Sequence, residues 1–164
     1  MVGIAITAIG AVATLLFSLQ PNLKPCFGGS SAEFTGAPVF PRVHFRDHLV
    51  REGTPRQEAA QETDVIGAEV RFSYRTNGLR GAQLPVTWSL VTLARDGTLA
   101  AVVPGQDRAQ AMIVTPDACS EAGGKDLFVP IPDPNSRYRV VLELYRDAHL
   151  EERIALLETP PFRG

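Results

Sequence analysis

Lysine is nearly absent from the chain: Lys24 and Lys125 are the only two in 164 residues, and the other basic residues are arginine. With 16 basic side chains against 18 acidic ones and no basic run, the electrostatic footprint of a nucleic-acid binder is missing. A polybasic patch for anionic lipid is missing too, since only Lys24 closely follows the apolar N-terminal stretch. There is no Gly-x-Ser-x-Gly elbow, no glycine loop to cradle phosphate, and no cysteine set in a catalytic motif. The carboxylates Glu143, Glu151, Glu152 and Glu158 fall at positions that read as exposed, without the burial that would raise a pKa for acid–base work. The expectation is a protein that is not an enzyme and needs no cofactor.

Metal ligands are equally sparse. His44 and His48 stand four apart, a spacing that joins two imidazoles on one metal only if the segment is helical. Pro41, Val43 and Phe45 favour an extended segment, so both rings are expected to be solvated. Asp96, Asp107, Asp117, Asp126 and Asp133 lie at or near turns, where Asp is a good turn residue, and they match no calcium-loop spacing.

Cysteine is limited to Cys26 and Cys119. In an oxidising compartment the two can pair within the chain, and a loop of that length is stabilised by up to ~4–5 kcal/mol in the chain-entropy model. Two free thiols, or a Cys26 link between chains, are equally compatible with the spacing.

The one long apolar run is at the start. Residues 1–19 carry no charged side chain, and Gln20, Pro21 and Asn22 end the run. About 20 apolar residues span a bilayer core, so residues 1–20 read as a transmembrane signal-anchor helix. A cleaved signal would want a basic start and a small-x-small site after a shorter core, and neither is present. Gly3, Thr7, Gly10 and Thr14 share one stripe of this helix, a small-residue face through which a second copy or another helix can pack. Lys24 on the C-terminal flank favours a cytoplasmic domain by the positive-inside rule. The cysteines and the strand-rich remainder favour the outside, and that orientation is adopted here.

Residues 21–37 are small, polar and turn-rich, which reads as a flexible spacer, and 38–164 as one β domain. Apolar residues there recur at period two. Ala68, Val70, Phe72 and Tyr74 share one face; Val86, Trp88 and Leu90 repeat the pattern; Tyr138, Val140, Leu142 and Leu144 form the strongest strand. Weaker strands are expected at 39–45, 99–103, 109–114, 127–131 and 153–157, with Pro130 marking an edge and 52–63 a loop or short helix.

Six to eight short strands with little helical pattern argue an all-β antiparallel sandwich. Trp88 in a middle strand and Tyr138 opening a late one resemble the core Trp and tyrosine corner of immunoglobulin-like domains over roughly residues 66 to 158. The second cysteine of true immunoglobulin domains is replaced by Val140. In arginine-rich composition and layout the chain also resembles small membrane-tethered sandwiches of GC-rich bacteria. The expected whole is an immunoglobulin-like β-sandwich on a single-pass anchor in the cell membrane, with its C-terminal domain extracytoplasmic and a protein partner in the cell envelope. Phe128 and Tyr145, out of phase with their inward neighbours, are the candidate interaction surface. The alternatives are a ligand- or polysaccharide-binding sensor domain, and a structural subunit of a membrane complex.

Overall fold

The computed structural model describes residues 26–164. The expected anchor helix with its Gly3, Thr7, Gly10 and Thr14 stripe lies outside the described residues. Among those described, no helix is long and apolar enough to cross a membrane.

The chain runs β1 (Ser31–Gly36), β2 (Val39–His44), α1 (Phe45–Arg51), α2 (Arg56–Ala59), β3 (Ile66–Asn77), β4 (Leu84–Leu93), β5 (Leu99–Val102), β6 (Ala109–Val114), β7 (Ser120–Pro130), β8 (Arg137–Tyr145), β9 (Arg153–Glu158) and β10 (Phe162–Arg163). Every pairing is antiparallel. In the first sheet β3 is central: β7 runs along one edge, and the other edge is shared end to end by β2 and β1. In the second sheet β4 and β8 pair at the centre, β5 and β6 share the far side of β4, and β9 and β10 share the far side of β8.

The two sheets close on one apolar core. Val70, Phe72 and Tyr74 of β3 meet Val86, Trp88 and Leu90 of β4 and Val140, Leu142 and Leu144 of β8, all buried. These are the residues whose alternation locates the strands. Full burial of a side chain this size contributes ~1.5–3 kcal/mol, so the period-two pattern and the register enforce each other. The Tyr138 hydroxyl donates to the Asp133 carbonyl at 3.0 Å and accepts from the Asp133 N–H at 3.1 Å. That closure fixes the corner entering β8. At Gly123 a Cβ would meet the Tyr74 ring on the neighbouring strand, so glycine is what lets that ring lie across β7.

Three expectations need correction. Residues 31–36, read as spacer, form β1 and pair with the second half of β3. Alternation is faint there because Ala32 and Phe34 are only half-buried. Residues 120–126 extend β7 well before the expected start at 127, since Gly123 and Gly124 hide the pattern. Finally, β2 ends at His44 and Phe45 opens a helix, so the segment expected to be extended turns after the first histidine.

Candidate functional site

The two sheets present very different outer faces. On the first sheet, α1 lies across the beginning of β3 and seals a carboxylate beneath it. Phe45 and His48 occupy the helix face against Phe128 of β7, with ring centroids 4.9 Å and 5.6 Å from that ring. A Cβ at Gly67 would strike the Phe128 ring and the Val129 carbonyl oxygen, so that glycine makes room for the stack. Under the rings Glu69 is 1% exposed. It accepts from Arg51 Nη2 and, at 2.7 Å, from Arg71 Nε, and His48 Nδ1 stands 3.4 Å from it. Burial pushes the Glu69 carboxyl up, but Arg51 and Arg71 outweigh it and hold it below the ordinary value. The Arg71 guanidinium also stacks 4.5 Å over the Phe40 ring.

His48 is therefore buried, not solvated, while His44 remains partly exposed and bonds Asp64 at 2.8 Å. The two rings are not brought together on a ligand. Among the described residues no three His, Cys, Asp or Glu side chains converge as a metal site. Two of the turn aspartates spend their oxygens on their own loops: Asp96 accepts from Thr98 N–H and Oγ1, and Asp133 accepts from Asn135 N–H and Ser136 Oγ, while Asp107 accepts from Ser89 Oγ of β4.

The outer face of the second sheet is built differently. Neither helix packs on it: α1 contacts β2 and β3, and α2 contacts α1. Along its centre runs the outward row of β4, Pro85, Thr87, Ser89, Val91 and Leu93, which neighbouring side chains keep buried. Beside that row stand Ile113 opposite Pro85, Val102 opposite Val91 and Leu99 opposite Leu93. Across β8, Leu156 stands opposite Glu143, which itself faces Thr87. Leu99, Val102, Ile113 and Leu156 are 44–56% exposed, and they are four of the seven large hydrophobic side chains exposed among the described residues. A strand face left to water normally alternates to polar residues; this one mixes Thr87, Ser89 and Glu143 with large apolar side chains.

Arginines stand around this row. Glu143, expected to be exposed, is 6% exposed. It accepts from Arg153 Nη1 at 2.6 Å and from the Tyr145 hydroxyl at 3.0 Å, and Arg108 Nε lies 3.7 Å away. Burial, then the Glu143 carboxylate, push the Tyr145 phenol up. Arg139 pairs with Glu158 at the far end of the face.

Phe128 and Tyr145, each a candidate seed for an interaction surface, sit on opposite sheets. Tyr145 is 3% exposed against Glu143, and Phe128 is half-buried under α1. The exposed residues of the second sheet escaped the sequence reading because Ile113 and Leu156 belong to short runs, where core and outward apolar positions look alike. Pairing register is what separates them.

Cys26 and Cys119 are joined as a disulfide with Cα atoms 5.4 Å apart, which ties residue 26 to the β6–β7 loop. The Cys119 carbonyl also accepts from the Gly78 N–H at 2.7 Å.

Fold and faces together define an all-β, two-sheet antiparallel sandwich. No known protein family matches the sequence, and no curated protein matches it. Among solved structures, a crystal structure of a Niemann-Pick type C2 protein from Japanese carpenter ant is similar at a TM-score of 0.37 and 11% identity, covering 84% of this chain and 96% of that one. A likeness that weak assigns neither ligand nor partner.

Proposed function

We propose that this chain is a non-catalytic, immunoglobulin-like protein-interaction module held at the extracytoplasmic side of a bacterial membrane by its N-terminal segment, and that it docks a protein partner through the outer face of its second sheet. The observation that carries the reading is the exposure of Leu99, Val102, Ile113 and Leu156 at four points of the sheet face on which neither helix packs. Exposed apolar side chains interspersed with Arg108, Arg139 and Arg153 have a composition found at protein interfaces, where arginine is enriched beside apolar contacts.

Several features support the other parts. The strand order, with β1/β2, β3 and β7 against β9/β10, β8, β4 and β5/β6, suits an immunoglobulin-like arrangement, and Trp88 and Tyr138 occupy the expected strands. A disulfide persists where the compartment is oxidising, which favours the extracytoplasmic side. The uncharged run of residues 1–19 is suited to anchoring, and a tether confines the domain near its partner.

Co-purification from native membranes tests the reading. Ile113→Glu and Leu156→Glu are expected to release the partner while Phe40→Glu, on the other sheet, retains it. Retention in both second-sheet variants, or release by Phe40→Glu alone, overturns the assignment of this face.

A further inference from the structure

The longest strand at an edge of either sheet is β7, 11 residues paired with β3 along one side only. Two hydrogen bonds at the ends of this ladder fix which way its backbone groups point. Gly78 N–H donates to the Cys119 carbonyl at 2.7 Å and Ile131 N–H to the Ile66 carbonyl at 3.5 Å, and both pairs continue the unbroken register. Bonded and non-bonded pairs alternate along an antiparallel ladder. The odd-numbered residues of β7 therefore bond β3, while Ala122, Gly124 and Asp126 turn N–H and C=O outward. Among the described residues no backbone bond fills those outward groups.

Such an edge is a template for another strand, and sheets commonly guard it with an inward-pointing charge. Lys125 has that position. It stands opposite the buried Phe72, on the core-side row, yet is exposed and makes no ion pair among the described residues. Glu121 lies on the same row, with Gly123 between them. Its Oε2 accepts from Asp117 N–H at 2.6 Å and Ala118 N–H at 3.4 Å, and its Oε1 has no partner among the described residues.

We infer that β7 pairs with β7 of a second copy, antiparallel about a two-fold axis at Gly123, so that residues 120–126 of each chain lie along 126–120 of the other. The backbone phase admits this register. Ala122 faces Gly124 across the axis in bonded pairs, and Glu121 faces Lys125 in non-bonded pairs, where side chains come closest. Gly123, Gly124 and Ala122 put no bulk between the strands. Other registers lose the match: an axis at Gly124 sets Lys125 against Gly123, one at Lys125 sets two lysines together, and one at Asp126 two aspartates. Lys125 thus guards the edge against strands in general and admits a copy of its own, an isologous contact. The edge belongs to the first sheet, so this pairing does not depend on the docking proposed for the outer face of the second.

Amide exchange by NMR on the full chain in detergent micelles tests the pairing, with sedimentation giving the dimer affinity. The N–H groups of Ala122, Gly124 and Asp126 are expected to exchange slowly at high protein concentration and fast on dilution. Those of Gly123 and Lys125, bonded to β3, should stay slow throughout. Lys125→Glu sets two like-charged pairs across the axis and should weaken the dimer about tenfold. The swap Glu121→Lys, Lys125→Glu should recover it. Ala122→Pro should weaken it at least as much, because it removes outward N–H donors and leaves the β3 ladder intact. A dimer in which the three outward N–H groups stay fast, or no dimer at all, would overturn the inference. So would a Lys125→Glu or Ala122→Pro variant that dimerises as wild type does, or a folded swap that fails to recover. Should the swap misfold for want of the Glu121 bonds to its loop, the two other variants decide.

Discussion

Breaking the Glu69 cluster from its two sides should have unequal consequences. Glu69 is 1% exposed, whereas the Arg51 and Arg71 side chains are 39% and 45% exposed. In Glu69→Gln the two guanidiniums can turn back to water and the amide keeps the shape, so the cost should be ~1–2 kcal/mol. In the double variant Arg51→Met, Arg71→Met the carboxylate stays buried with His48 alone at 3.4 Å. An uncompensated buried charge costs ~3–5 kcal/mol. Urea unfolding at neutral pH with the disulfide intact measures both, provided the slope m is unchanged.

The pH dependence adds a second signature. The groups around Glu69 are Arg51 and His48 from α1 and Arg71 on its own strand, with Asp126 of β7 beyond Arg71 at 3.7 Å. Because the folded carboxyl is held below its ordinary value, its contribution is complete above the ordinary carboxylate range and is lost as pH falls through the folded value. The advantage of wild type over Glu69→Gln should therefore shrink on acidification. In the double variant only burial and His48 act on Glu69, so protonation relieves it and the variant should regain ground against wild type. Equal costs at neutral pH, or gaps that do not move with acid, would refute the reasoning.

Three further outcomes follow. Cys119→Ser should lower stability by ~2–5 kcal/mol, because the disulfide spans 93 residues of sequence; thermal melts with and without reductant check it, since reductant should affect wild type alone. Tyr138→Phe should cost ~0.5–1.5 kcal/mol by removing the hydroxyl from Asp133 N–H and C=O, read as a shift in urea midpoint. Ile113→Glu and Leu156→Glu should change stability by no more than ~0.5 kcal/mol, as both side chains are about half exposed; a larger loss would mean that the face is part of the fold.

Strands facing a core on one side only were legible from the residues. Ala68 to Tyr74, Leu84 to Leu90 and Tyr138 to Tyr145 alternate because each turns one row of side chains into the core between the sheets. What escaped was set by contacts distant in sequence. Glu69 has the outward phase of β3 and becomes buried only because α1 folds over it. A helical signal was available, since Phe45, His48 and Leu49 stand at i, i+3 and i+4, but Pro41 and Val43 just before them favour strand. Glu143 likewise reads as solvent-facing until Tyr145, Arg108 and Arg153 close around it. The proposed docking face was the hardest to see. Val102, Ile113 and Leu156 come from three separate strands, and only the pairing register places them on one side.

The most direct test of the proposed docking is photo-crosslinking in intact cells, with a benzoyl-phenylalanine introduced at Ile113, at Leu156 and, as the contrast, at Phe40. The account predicts one discrete protein adduct shared by the Ile113 and Leu156 positions and absent from the Phe40 position. The same adduct from Phe40 but not from the other two would contradict it, as would no adduct from any of the three.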